Sequence, residues 1–191
     1  NPVEEYLYDT GRWDGKDRIR ALADLVPCHN PHWQELFYRW FLGMVAHWRG
    51  MDRQHGNNTS PLLVGSQGFR KSTFCRILLP PELRFGYTDS IDFKSRQEVE
   101  RSLGRFLLVN IDEFDQISIN QQGFLKHLLQ KPVANLRKPY GSTIREMRRY
   151  ASFIGTSNQK DLLSDPSGSR RFICIEVTGP IDTNVTINYR Q

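Results

Sequence analysis

The run Phe106-Leu107-Leu108-Val109-Asn110-Ile111 shows almost no alternation of polar and apolar residues, and it ends abruptly on Asp112-Glu113. A segment this short reads as a strand, and with apolar side chains on both of its faces it must be covered on both. The chain is thereby restricted to a sheet with helices above and below. Pro61 to Val64, Ala151 to Gly155 and Phe172 to Val177 are further short strands. Between them lie segments of helical period: Lys71 to Leu79, Ser95 to Leu103, and a helix opened by the capping box Ser118-x-x-Gln121, with Phe124, Leu125, Leu128 and Leu129 on its apolar side. Alternating strands and helices predict an α/β fold with a mainly parallel sheet. A hairpin is expected from Val133 to Lys138 and Thr143 to Arg148, turning at Pro139-Tyr140-Gly141-Ser142.

Upstream the pattern is purely helical. Trp33, Leu36, Phe37, Trp40, Phe41, Met44, Val45 and Trp48 form one stripe of a long helix that Asn30-Pro31 opens and Gly50 closes. At this spacing an aromatic stripe reads as core rather than as a base-stacking groove. With a shorter helix from Asp17 to Leu25, residues 1–58 read as an N-terminal helical subdomain and 59–191 as the α/β core, joined through a polar surface connection, Met51 to Ser60. The first residue is Asn1, so the chain is expected to be a piece of something longer, truncated at its C-terminal side.

Composition removes several classes of function. No apolar run approaches the roughly 20 residues of a membrane helix, and no signal segment opens the chain, so a cytosolic location without membrane contact is expected. Cys28, Cys75 and Cys174 are too few and too scattered for a disulfide framework, and Cys28-His29-Asn30-Pro31-His32 lacks a second ligand pair for zinc. The formal charge of +5 agrees with a polyanionic partner. Basic residues crowd Arg137 to Arg149 and recur at Arg170-Arg171.

The chemistry is concentrated around Leu62-Leu63-Val64-Gly65-Ser66-Gln67-Gly68-Phe69-Arg70-Lys71-Ser72-Thr73. A glycine-rich turn between a buried strand and a helix aims backbone N–H groups and the helix dipole at a phosphate. Residues Gly65 to Thr73 are accordingly candidate ATP contacts, Lys71 reaching the terminal phosphates and Ser72 holding Mg²⁺. Arg70 stands where the phosphate-loop pattern G-x-x-x-x-G-K-[S/T] has its second glycine. Asp112-Glu113 at the end of a buried strand suits a Walker B pair next to that loop, Asp112 in the magnesium shell and Glu113 as general base toward water.

Taken together these residues resemble the virulence-associated protein E family of P-loop ATPases found in phages and mobile elements. The resemblance rests on Asn1-Pro2, Tyr6-Leu7, Trp13-Asp14-Gly15 and Arg18, on the loop Gly65 to Thr73, and on three later blocks. Those are Arg137-Lys138-Pro139-Tyr140-Gly141, Gly155-Thr156-Ser157-Asn158 and Asp165-Pro166-Ser167-Gly168-Ser169-Arg170-Arg171-Phe172. Such proteins are similar to superfamily 3 helicases and the AAA+ group and often accompany a primase. The resemblance implies that Asn158 acts as a sensor-1 asparagine and that Arg170 or Arg171 is an arginine finger, with the other free to be structural. It also implies a homo-oligomer, for which a hexameric ring is one form. The basic hairpin falls where superfamily 3 helicases contact DNA, so Arg137, Lys138, Tyr140 and Arg145, with Arg148 and Arg149 as further cations, are candidates for single-stranded DNA. Three readings remain open at this point: a nucleic-acid motor, a nucleotide-gated binding or assembly module that hydrolyses little because of Arg70, and a small-molecule kinase.

Overall fold

The computed structural model describes residues 1–51, 54–137, 144–160 and 171–191, with backbone alone at 136, 137, 144 and 145. Helices α1 (Pro2–Tyr8), α2 (Arg18–Asp24) and α3 (Trp33–Arg49) come first. They are followed by β1 (Ser60–Val64), α4 (Lys71–Ile77), β2 (Tyr87–Thr88), α5 (Arg96–Arg105), β3 (Leu108–Ile111) and α6 (Ile119–Gln130). The chain continues through β4 (Val133–Arg137), β5 (Ile144–Arg148), β6 (Ser152–Ser157) and β7 (Phe172–Glu176). Helix α1, strand β2 and two 3-10 helices, Pro81–Gly86 and Phe114–Gln116, are elements that the periodicity of the sequence does not reveal. The strand and the 3-10 helices are too short to carry a period, and α1 buries only Val3 and Tyr6.

Five strands form one sheet in the order β2-β3-β6-β1-β7, and every pairing is parallel. The carboxyl ends of all the strands therefore share one edge, where ligands of open α/β sheets bind. The acidic strand β3 does not pair with β1; β6 lies between them, with Leu62 opposite Gly155 and Ile111 opposite the same glycine on the other side. At Gly155 a side chain would sit 2.8 Å from Leu62 Cδ1, so the middle strand is free of a Cβ where its neighbour crowds it.

Successive residues on each strand enter different cores, as the unbroken apolar runs require. Leu63, Leu108, Ile154 and Ile175 face α2, α3 and α4, together with Trp33, Phe37, Trp40, Met44, Phe74 and Leu78. Leu62, Val64, Val109, Ile111 and Phe153 face α5 and α6. The stripe on α3 is thus core: Trp33, Phe37, Trp40, Met44 and Trp48 are all buried, in the same cluster as the sheet. Gly50 ends α3 at φ 64, as expected of a left-handed cap.

Of the connection between α3 and β1, Met51, Gln54, His55 and Asn58 are exposed as expected, but Asn57 turns inward. Asn57 is buried, and its Nδ2 donates to Trp40 O at 3.0 Å and Ser152 Oγ at 2.9 Å. Its own N–H donates to His47 Nε2 at 2.9 Å. A polar residue suits this place because its amide satisfies itself on acceptors from α3 and the start of β6 while its own N–H is taken by His47.

Arg148 and Arg149 are corrected in the same way, since neither adds a cation to a surface hairpin. The Arg149 guanidinium is 1% exposed. It donates to Leu129 O at 2.9 Å, Lys131 O at 2.7 Å and Ala151 O at 2.8 Å. Two of those carbonyls close the C-terminal end of α6, where cations are favoured. Burial pushes the guanidinium down to about 10, which still leaves it charged at neutral pH. Arg148 does the same for α3, donating to the carbonyls of His47 and Trp48 and pairing with Glu4 at 3.2 Å. The two arginines at the end of β5 thereby lock the hairpin to the ends of two helices.

Arg149→Met should lower stability by about 3 kcal/mol, because it strands several buried carbonyls at once. Urea unfolding would measure this against Arg39→Met, an exposed arginine whose loss should cost no more than about 0.5 kcal/mol.

Candidate functional site

A cleft of about 400 Å³ opens at the carboxyl edge of the sheet, lined by Gln67, Gly68, Arg70 to Thr73, Asp112, Glu113 and Thr156 to Asn158. Three strand ends supply it: the loop after β1, the acids after β3 and the turn after β6. Sequence separation is no obstacle, because parallel strands deliver all their following loops to one side.

Lys71 is the first residue of α4 and is only 6% exposed. Its Nζ donates to Gly65 O at 2.7 Å, Ser66 O at 2.9 Å and Asn158 Oδ1 at 2.9 Å. These three acceptors match the three donors of an ammonium. Burial pushes the pKa of the amine down, and the nearby Asp112 carboxylate works in the opposite direction.

Asp112 Oδ1 accepts from Ser72 Oγ at 2.9 Å and from Thr156 Oγ1 at 2.5 Å. A hydroxyl at the start of α4 and a carboxylate at the end of β3 thus meet, a pair of hard oxygen donors of the kind Mg²⁺ takes. Among the described residues no group of three or more His, Cys, Asp or Glu could hold a metal unaided. Glu113 follows, exposed in the cleft, with its backbone at φ 50. A left-handed conformation at a non-glycine residue costs about 1–2 kcal/mol. The turn that holds it is closed by Gln116 N donating to Glu113 O at 2.8 Å.

The loop Gly65 to Arg70 is shaped by four residues. Gly65 packs so closely on the end of β7 that a Cβ would lie 2.8 Å from Val177 O. Gly68 has φ 86, in open space, so glycine is needed there for conformation alone. Phe69 turns inward, packed against the core, while its carbonyl accepts from Ile181 N at 3.1 Å. It anchors the loop and does not line the cleft. Arg70 has φ 59 and ψ 28, the left-handed geometry that a glycine at this position would adopt without strain, and its side chain is exposed at the rim.

The remaining candidates lie elsewhere. Arg171 faces Gln130 at the end of α6; with the amide oxygen turned toward it, Nε donates at 3.0 Å. It does not line the cleft of its own chain, and Arg170 is outside the described residues. The hairpin exists as an antiparallel pair, with Val133 opposite Arg148 and Arg137 opposite Ile144. Lys138 and Tyr140 lie outside the described residues, as do the side chains of Arg137 and Arg145. Sequence reading missed roles for Thr156, Ser157 and Asp115. Ser157 Oγ donates to Asp115 Oδ1 at 2.7 Å, which ties the turn after β3 to the turn after β6. The available signal was the polar run Thr156-Ser157-Asn158 closing an otherwise apolar strand.

The profile of the Virulence-associated protein E-like domain matches residues 7–191. Solved structures similar to the chain include the apo C-terminal region (305–718) of NrS-1, at TM-score 0.55 and 15% identity over 98% of this chain and 41% of that one. An A-form apo structure of the same region gives TM-score 0.55, 16% identity and coverages of 98% and 40%. A further A-form apo structure gives TM-score 0.52, 16% identity and coverages of 96% and 38%. At such identity the likeness is one of fold, and the chain spans about two fifths of those structures. No curated protein matches the chain.

The strained φ at Arg70 sets an expectation for Arg70→Gly. Relief of about 1–2 kcal/mol of left-handed strain is offset by the roughly 0.5–1 kcal/mol that glycine loses through its freer unfolded state. The variant should be as stable as the wild type or up to about 1.5 kcal/mol more so, as read by urea unfolding. A clear loss of stability would mean that the arginine side chain contributes contacts of its own.

Proposed function

The chain belongs to the virulence-associated protein E-like domain family, and we propose that it is a P-loop motor core that binds and hydrolyses ATP and acts on nucleic acid in the replication of a phage or mobile element. The observation that carries this reading is the meeting of Lys71, Ser72, Asp112, Glu113 and Asn158 around one cleft. They come from three separate strand ends, and each has a task in phosphoryl transfer to water.

In this reading the backbone of Ser66 to Lys71 cradles the phosphates, and Lys71 exchanges its protein acceptors for phosphate oxygens. Ser72 and Asp112 would hold Mg²⁺, which supplies neutralisation of the developing phosphate charge; Mg²⁺ commonly takes only one or two carboxylates from the protein and completes its shell with phosphate and water. Glu113, exposed in the cleft, accepts the proton of the attacking water. Asn158 offers a neutral amide that orients water or phosphate without adding charge. Arg170 or Arg171 acts on the cleft of a neighbouring subunit in a homo-oligomer, which agrees with the absence of Arg171 from the cleft of its own chain. Arg137, Lys138, Tyr140 and Arg145, in and around the hairpin β4–β5 that Arg148 and Arg149 tie to two helix ends, are the proposed contacts for single-stranded DNA. A primase partner follows from the family resemblance alone.

The left-handed Arg70 favours one alternative, a module that binds nucleotide and DNA but turns over slowly. Turnover separates the two. Lys71→Ala should abolish binding of a fluorescent ATP analogue, and Glu113→Gln should bind normally without releasing phosphate. Phosphate release at the wild-type rate from Glu113→Gln would remove the proposed base. Replacing Arg137, Lys138 and Tyr140 together should flatten the salt dependence of single-strand binding by somewhat less than about one unit of slope per lost phosphate contact. An unchanged slope would return the hairpin to ordinary surface.

A further inference from the structure

Asp115 sits in the 3-10 turn Phe114–Gln116, two residues beyond Glu113, and it has no place in the phosphate chemistry proposed above. Its carboxylate nevertheless reaches the end of β6. Oδ1 accepts from Ser157 Oγ at 2.7 Å, and Oδ2 accepts from Gln116 Nε2 at 2.8 Å. The same serine oxygen accepts from Gln159 N at 3.0 Å. Asn158 is therefore bracketed by Ser157, whose hydroxyl donates to Asp115, and by Gln159, whose N–H donates to that same hydroxyl. On the far side, Asn158 Oδ1 holds Lys71.

The other end of the connection is the turn that carries Glu113 in a left-handed conformation. Strain of that kind persists only where surrounding contacts over-determine it. The turn is short and has few contacts available: Phe114 is buried against Phe172, with ring centroids 4.8 Å apart, and Asp115 binds β6. One residue fixes the turn toward the core and the next fixes it toward the Asn158 turn.

We infer that Asp115 is a positioning residue, coupling the Glu113 turn to the Asn158 turn so that the base and the amide face the same point above Lys71. This rests on the hydrolytic reading of the cleft. A carboxylate suits the task because it accepts at both oxygens and donates at neither, so one group can hold donors from two segments. Burial would raise its pKa, but hydrogen bonds from Ser157, Gln116 and the backbone outweigh burial and hold it below the usual carboxylate range. It is therefore ionised at neutral pH.

The test is a double-mutant cycle on ATP turnover with Asp115→Ala, Asn158→Ala and both together, alongside the affinity of each for a fluorescent ATP analogue. Asp115→Ala should lower kcat by about tenfold to a hundredfold, the scale of a small misplacement of reacting groups, while the analogue binds as before. In the Asn158→Ala background the same change should cost clearly less than in the wild type, since the part of its effect that passes through Asn158 is already gone and only the part that passes through Glu113 remains. Ser157→Ala, which cuts the same connection without touching an acid, should reproduce the kcat loss and keeps the test decisive should Asp115→Ala not fold. Effects of Asp115→Ala and Asn158→Ala that multiply in full would make Asp115 an ordinary structural residue and overturn the inference. So would wild-type turnover in Asp115→Ala or in Ser157→Ala, or a loss of affinity as large as the loss of kcat. A wild-type protein that releases no phosphate would instead overturn the hydrolytic reading, and the inference with it.

Discussion

The ammonium of Lys71 holds the cleft together. Taking an amine to 6% exposure is costly unless each of its donors is satisfied, and here the three acceptors come from the loop after β1 and the turn after β6. The lysine thus closes the gap between two strand ends by hydrogen bonding alone. Anything that withdraws the amine from Asn158 frees both the amide and the loop carbonyls to rearrange. A polyphosphate offers oxygens of higher charge than any of the three, so the proposed ligand competes for the interaction that shapes the cleft.

Sheet order makes this arrangement possible. Because β6 lies between β1 and β3, the polar run Thr156-Ser157-Asn158 emerges between the phosphate-type loop and the two acids. Each residue of the run then meets a different partner: Thr156 meets Asp112, Ser157 meets Asp115 and Asn158 meets Lys71. The alternation of a strand would send successive side chains to opposite faces. At the end of β6 the residues Thr156 to Asn158 all line the cleft, and the position of β6 between β1 and β3 gives each a different partner. The helices of the two cores hold the strands in register, and Arg148 and Arg149 tie the β4–β5 hairpin to α3 and α6.

Much of this was legible in the sequence, for physical reasons that can be named. Unbroken apolar runs demanded a sheet covered on both faces, and the run Leu108 to Ile111 with its neighbours is covered on both. The 3.6-residue stripe from Trp33 to Trp48 and the capping box at Ser118 also appear as read, since they depend on local geometry. The misreadings share a cause. Asn57, Arg148 and Arg149 look like surface residues because their chemistry is polar, yet each is drawn inward by acceptors that only the tertiary fold brings near: helix-end carbonyls for the two arginines, and Trp40 O with the Ser152 hydroxyl for Asn57. The bond between Asp115 and Ser157 was invisible for the same reason: it spans 42 positions and depends on the insertion of β6. Among the cleft residues, Lys71, Asp112, Glu113 and Asn158 were named from the spacing of motifs and from family resemblance, whereas Thr156 received no role.

The central claim is that this cleft takes Mg·ATP through the loop Gly65 to Thr73 and the turn after β6. Hydrogen exchange of the unaltered protein, with and without a non-hydrolysable ATP analogue and Mg²⁺, tests it directly. Slowed exchange is expected in the segments covering 66–73 and 156–159, saturating with analogue concentration and weakened when Mg²⁺ is chelated. Saturable binding that leaves both segments unprotected, or no binding at all, would contradict it.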